Sequence, residues 1–303
     1  MGLLTGFSTI LVVIACGVGL AHVGVLDGRS QRTMAEVAFF VASPALMVVT
    51  IGRIELAGAA ANLVASAASL AACFGAYVVL ARVWWRLDGG SVLIGALSSS
   101  YVNAGNLGVA IAAYVVGDIT IVVPTLLVQM LAVQPIALVV LDHQTGRGSG
   151  ARAVLRRLVT NPLTLAALTG LLLAATGTTI PPVLDDPLRL LAAAAIPLML
   201  LSYGAALRLS PPPGRAGHNR EVAAVVALKL LVMPVVAGAV GTALGVSGPV
   251  LLGVVLTAAL PTAQNIFLHA TRYRVGEAVA RESILVTTLC SLPLALLVTV
   301  VLG

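Results

Sequence analysis

SSSYVNAGNLGVAIAAY, Ser98–Tyr114, and ALPTAQNIFLHATRY, Ala259–Tyr273, are the two polar interruptions in an otherwise apolar chain. Each places amides and helix breakers in the middle of a hydrophobic run: Asn103, Gly105, Asn106 and Gly108 in the first, Pro261, Thr262, Gln264 and Asn265 in the second. Pro261 lacks an N–H and its ring opposes a continuous helix. Gly105 and Gly108 weaken the other helix and permit close backbone approach. In hydrocarbon every freed backbone group needs a partner, so such breaks are expected only where they line a buried cavity.

The rest of the chain says why hydrocarbon is the setting. Of 303 residues 59% are apolar and 9% charged, with mean hydropathy +1.08. A water-soluble domain carries about 25% charged residues, so that class is excluded. With about 20 apolar residues per crossing, the runs give ten predicted helices, at about 3–24, 33–52, 58–82, 91–116, 119–141, 158–177, 187–207, 222–244, 249–271 and 278–302. The fold class is therefore an all-α polytopic membrane protein. The first run has no basic residue before it and is too long for a signal peptide, so it reads as a retained span. Cys16, Cys73 and Cys290 lie far apart in apolar runs and support neither disulfide nor metal site. A net charge of +6 would suit nucleic acid, but the basic residues sit between the spans, where they set topology.

Fourteen arginines fall in the odd-numbered connections and two, Arg53 and Arg189, in the even ones. The excess places the odd connections in the cytoplasm and both termini outside, as expected of a multi-pass protein of the cell membrane. Trp84 and Trp85 beside Arg82 and Arg86 fit an interfacial anchor.

The two halves resemble each other. At a shift of 158 residues Thr125–Val140 lies over Ser283–Val298 with seven of sixteen identities, Pro135 on Pro293 among them, and Asn103 falls on Pro261. A shift of 159 pairs Asn106 with Asn265, Tyr114 with Tyr273 and Val116-Gly117-Asp118 with Val275-Gly276-Glu277. An odd number of spans per repeat inverts the second half in the bilayer. The expectation is a first five-helix repeat over 1–141, a cytoplasmic linker over 142–157 and an inverted second repeat over 158–303. Corresponding broken helices in inverted repeats point to a transporter site near the midplane.

A half-helix that starts in mid-membrane presents unpaired N–H groups and the positive end of its dipole, which favours an anion. Asn103, Asn106, Gln264 and Asn265 can bind without bringing charge into lipid. Read singly, each serves equally well to tie helices together. Lys229 lies nine residues past Arg220, roughly 13 Å deep. It reads three ways: as counter-ion to a substrate carboxylate, as a tie to carbonyls and hydroxyls, or as a side chain reaching to the cytoplasm. All eleven acidic residues lie in loops or near helix ends, so no mid-membrane carboxylate partners it. His269, four residues after Asn265, is a candidate proton relay or a packed helix-end residue.

At these residues the sequence resembles the auxin efflux carrier family, which includes plant auxin carriers and bacterial carriers of malonate-like acids. Asn103-Ala104-Gly105-Asn106-Leu107-Gly108-Val109-Ala110 resembles the family pattern N-x-G-F-x-G-x-P. Pro261-Thr262-Ala263-Gln264-Asn265 with Ala270 and Tyr273 resembles P-x-A-x-N-x4-A-x2-Y. Asn161-Pro162-Leu163, Pro197-Leu198-Met199 with Gly204, and Lys229-Leu230-Leu231 with Pro234 are further echoes. The resemblance implies an organic anion held where helices 4 and 9 cross. It further implies a scaffold of helices 1, 2, 6 and 7, a moving unit of 3–5 and 8–10, and dimerisation through the scaffold. Asn106 and Ala110 depart from the pattern, which has an apolar residue and proline there. The first departure points to a more polar substrate, the second to a softer break in helix 4.

The expectation is a secondary carrier for a small organic acid, working by alternating access. It needs no cofactor and no metal, and whether a proton or sodium ion travels with the substrate stays open. A sodium-coupled symporter of the bile-acid type shares the plan. A membrane enzyme would need a nucleophile or metal cluster at bilayer depth, and no residue set has that spacing. A passive channel would not need mirrored breaks.

Overall fold

The computed structural model describes residues 3–52, 59–144, 160–209 and 217–302, and among these every regular element is helical. In order they are α1 (Leu3–His22), α2 (Gly28–Ile51), α3 (Ala60–Trp84), α4a (Gly89–Ser100), α4b (104–116), α5 (Ile119–Gln144), α6 (Pro162–Thr176), α7 (Pro182–Leu209), α8 (Asn219–Ala243), α9a (Gly248–Ala258), α9b (Asn265–Tyr273) and α10 (Glu277–Leu302). Six of them, α2, α3, α5, α7, α8 and α10, are long and apolar enough to cross a membrane. Beyond Gln144 the arginine-rich linker, with Arg147, Arg152, Arg156 and Arg157, lies outside the described residues, as do Arg53 and Arg215.

Local chemistry explains the boundaries. Asp27 caps α2 by accepting from the Ser30 N–H at 2.7 Å, which starts that helix at Gly28 although its first two turns are polar. Asn161 caps α6 by accepting from the N–H groups of Leu163 and Thr164, with Pro162 at the first helical position, where no N–H is missed. Three prolines inside apolar runs leave a common mark. Pro44, Pro135 and Pro234 each follow a π-type turn that ends two residues before them: Ala38–Ala42, Val128–Val133 and Leu228–Val232. A widened turn relieves the clash of the proline ring with the carbonyl four residues back.

Cα proximity divides the chain into two compact units. One holds α1, α2, α4b, α6 and α7. Inside it α1 lies along α7 and α6 along the second half of α2. Lipid gives helices no hydrophobic reason to associate, so close backbone approach carries the packing. A Cβ on Gly17 would clash with the Leu201 carbonyl oxygen, and one on Gly204 with that of Ile14.

The other unit holds α3, α4a, most of α5, α8, α9a, α9b and α10. Its apolar core joins Leu93, Ile94, Leu97 and Tyr101 to Leu138, Leu141, Ile266, Ala270, Tyr273 and Ala280. It also buries a set of hydroxyls and amides, among them Asn62, Ser69, Ser98, Ser99, Ser100, Gln129, Ser283, Thr287 and Thr288. Three carboxylates, Asp142, Glu221 and Glu282, are buried at helix ends. Asp142 accepts the Tyr273 hydroxyl at 2.6 Å.

Candidate binding site at the paired helix breaks

α4a ends at Ser100, and Tyr101–Asn103 run on in extended conformation before α4b begins. α9a ends at Ala258, and the chain straightens around Pro261–Ala263 before Asn265 opens α9b. The two extended stretches lie antiparallel, with Val102 opposite Thr262. The Asn103 N–H donates to the Pro261 carbonyl at 2.8 Å, and the Ala263 N–H donates to the Tyr101 carbonyl at 3.2 Å. Each break thus satisfies part of the other, the economical solution where no water is at hand.

In such a pairing the groups of Val102 and Thr262 themselves point away from the partner strand. Side chains of neighbouring helices meet them. With its amide nitrogen turned toward Val102, Gln129 of α5 donates to the Val102 carbonyl at 3.0 Å and accepts from the Val102 N–H at 3.0 Å. Thr287 Oγ1 of α10 accepts from the Thr262 N–H at 3.1 Å. The Thr262 hydroxyl donates to the Ser98 carbonyl at 2.6 Å, occupying one of the orphan acceptors at the end of α4a.

Asn103 is 4% exposed, and its Nδ2 has no hydrogen-bond partner among the described residues. Asn265, half-buried at the first position of α9b, leaves its Oδ1 unpartnered. A buried polar group without a partner costs about 1–3 kcal/mol. The crossing thus carries two such groups, one a donor and one an acceptor, whose hydrogen-bonding capacity is unspent among the described residues. Gln264 sits half-buried at the cap of α9b and makes no side-chain capping bond; in the first turn the Ile266 and Phe267 N–H groups donate to the Ala263 and Gln264 carbonyls at 3.2 and 3.1 Å. Tyr101, at the start of the extended stretch, donates its hydroxyl to Gln134 Oε1 at 3.3 Å.

The other predicted residues take different places. Gly105 and Gly108 fall in the π-type turn Ala104–Gly108 that opens α4b, in the first unit, and the side chain of Asn106 lies outside the described residues. Lys229 sits in the π-type turn of α8, fully buried, and its Nζ donates to Met233 Sδ at 3.3 Å. It does not reach solvent, it makes no hydrogen bond to Asn103, Gln264 or Asn265, and no carboxylate lies within 4 Å of it among the described residues. Its turn packs against α4a and α10, and the Leu228 carbonyl there accepts the Cys73 thiol at 3.3 Å. His269 is half-buried one turn beyond Asn265. No group of three or more metal-ligating side chains exists among the described residues.

Reading by residue type missed Gln129 and Thr287. A signal was present: the shift of 158 residues that aligns the two halves lays Gln129 on Thr287.

Comparison with known proteins adds a family. The profile of a family described as membrane transport protein matches residues 149–299. An auxin efflux carrier component 3a of Oryza sativa subsp. japonica is 28% identical over 154 residues, half of this chain and a quarter of that protein. Auxin efflux carrier components 4 and 3 of Arabidopsis thaliana are 27% identical over the same length, covering 25% and 24% of those proteins. The matched stretch therefore spans about a quarter of the curated relatives.

Proposed function

We propose that this chain, which belongs to the auxin efflux carrier family of membrane transporters, carries a small organic carboxylate by alternating access at the crossing of α4 and α9. The observation that carries the proposal is the paired break itself, with Asn103 Nδ2 and Asn265 Oδ1 buried and unpartnered beside it. A carboxylate takes N–H donors from the Asn103 amide, and a hydroxyl or protonated carboxyl returns a donor to Asn265. Asn103, Gln264 and Asn265 bind; Gly105, Asn106 and Gly108 form the start of α4b on the same break. Lys229, when protonated, raises the potential of the unit's interior without touching substrate. The relatives are named for auxin efflux, and auxin is itself an organic acid.

The architecture that goes with this function is ten helices in two inverted five-helix repeats. Its support is the recurrence of backbone features at one spacing. Ile119 and Glu277 open α5 and α10 at a separation of 158 residues, and Gly89 and Gly248 open α4a and α9a at 159. Gly117 and Gly276, both at positive φ, close α4b and the turn after α9b, also 159 apart. Arg86 and Gly245, again at positive φ and 159 apart, follow α3 and α8. The two compact units agree with a scaffold of helices 1, 2, 6 and 7 and a transport unit of the rest, except that α4b clusters with the scaffold. Both termini outside, the linker cytoplasmic and dimerisation through the scaffold complete the proposal.

The test is uptake of labelled malonate, succinate, acetate and indole-3-acetate into proteoliposomes, with and without sodium and under a pH gradient. Saturable uptake of one acid, lost in Asn103→Ala and Asn265→Ala while thermal melting is retained, supports the assignment. Wild-type uptake by Asn103→Ala would sink it.

A further inference from the structure

Val102 and Thr262 are the two residues whose own backbone groups the crossing cannot satisfy, because their N–H and C=O point outward from the pairing. In water this would cost little. Here both residues are buried, Val102 at 1% and Thr262 at 0% exposure, and an unmet backbone group would pull the extended segment toward helix or toward another partner. The amides that flank them, Asn103 at the next residue and Asn265 three residues on, can be held at a fixed depth only if these groups are tied.

We propose that Gln129 and Thr287 are matched positioning residues, each tying the extended backbone of one broken helix and so fixing where Asn103 and Asn265 are presented. The inference rests on the carrier reading above but assigns these two side chains no contact with substrate. Three observations carry it. Gln129 is 1% exposed and its amide serves both groups of Val102, whose carbonyl also accepts the Ala104 N–H at 2.8 Å. Thr287 is 0% exposed and serves the Thr262 N–H, its own hydroxyl proton being given to the Ser283 carbonyl at 2.6 Å. The two sit 158 residues apart, the separation at which α5 and α10 begin. The residue types suit the tasks. A neutral amide presents a donor and an acceptor side by side at any pH, matching both groups of one peptide residue, whereas a hydroxyl already donating along its own helix acts purely as acceptor.

The difference yields a distinctive consequence. A glutamate in place of Gln129 keeps the shape and the acceptor, but offers a donor only when protonated. The grip on Val102 then depends on pH, which it does not in the wild type.

The experiment is hydrogen exchange read by mass spectrometry on the full chain in lipid nanodiscs, without substrate. Gln129→Leu should speed exchange over 101–104 by about fivefold or more, the loss of one or two buried bonds. The 260–266 segment should change less. Thr287→Val should do the reverse, and Thr287→Ser should restore the wild-type pattern. Equal exchange in variant and wild type at the residue's own segment would overturn the proposal, as would the same acceleration in both segments whichever residue is changed. If Gln129→Leu does not fold, the near-isosteric Gln129→Glu decides. Its exchange over 101–104, as a ratio to wild type at the same pH, should rise as the new carboxyl ionises, an ionisation followed by infrared on the same variant, and an unchanged ratio across that ionisation overturns the proposal. Because exchange needs no substrate, an inert protein in malonate uptake would count against the carrier reading alone. Uptake by Gln129→Leu with wild-type KM would count against the positioning role alone.

Discussion

Asp88 shows how single residues set element boundaries in this chain. Its side chain accepts from the Ser91 N–H at 3.0 Å and caps α4a, the helix that leads into the crossing. Hydrogen bonds from the Ser91 hydroxyl and backbone hold its carboxyl below the usual range. A depressed folded-state pKa stabilises above the unfolded value and is lost as pH falls through the folded one, so this contribution fades below about pH 4. Asp88→Asn, an equally good cap, should leave the melting temperature unchanged at neutral pH and flatten its decline in acid. Asp88→Ala should lower stability by about 1 kcal/mol at neutral pH. Equal acid sensitivity of the wild type and Asp88→Asn would show that the carboxyl is not the group concerned. At this scale the sequence was legible where a residue announces itself by type, as Asn103, Pro261 and Asn265 did. It was silent where the partner is backbone, because nothing in the apolar run around Gln129 shows that its amide faces Val102.

At the scale of elements the break in helix 9 fell at Pro261, while that in helix 4 fell at Tyr101–Asn103, ahead of Gly105 and Gly108, which lie inside the turn that opens α4b; the mutual pairing of the breaks is what the residues alone could not show. Antiparallel pairing of two interrupted helices depends on their crossing, which no local pattern encodes. The widened turns were also hidden. A hydrophobic stripe over one turn does not distinguish 3.6 residues from a slightly longer period, although proline two residues downstream marked three of them. This gives a prediction for α8. Pro234→Ala restores the missing N–H and allows the turn Leu228–Val232 to tighten, which would rotate Lys229 away from Met233. The variant should melt higher than the wild type yet transport more slowly; unchanged transport would mean that the turn has no bearing on the site. The α1 and α7 contact gives another. Gly204→Ala should destabilise by about 1–3 kcal/mol, because the new methyl meets the Ile14 carbonyl. Gly19→Ala, where nothing lies within 4 Å, should be near neutral. Similar melting of the two variants would refute the close approach.

For the whole molecule, composition alone excluded a soluble fold, and arginine asymmetry with the internal shift suggested two inverted halves. The family profile matches only 149–299, so the first half, Asn103 included, is related to the second by the sequence match at a shift of 158 residues and by the bridge between Val102 and Thr262. Orientation can be tested directly. If the halves are inverted, equivalent positions lie on opposite sides of the membrane. Asp118→Cys should then react only with an impermeant maleimide added outside the cell, and Glu277→Cys only after the inner face is opened, each in a background lacking Cys16, Cys73 and Cys290. Labelling of both from the same side would contradict the repeat.

Whether the paired breaks hold a carboxylate in transit is decided by charge movement in proteoliposomes during rapid jumps of malonate, succinate, acetate and indole-3-acetate. The same vesicles would report labelled uptake, so that electroneutral exchange is seen as well. A saturable response to at least one acid is expected, abolished in Asn103→Ala and in Asn265→Ala with folding intact. A response of wild-type size in both variants, or flux that rises without saturation, would contradict it.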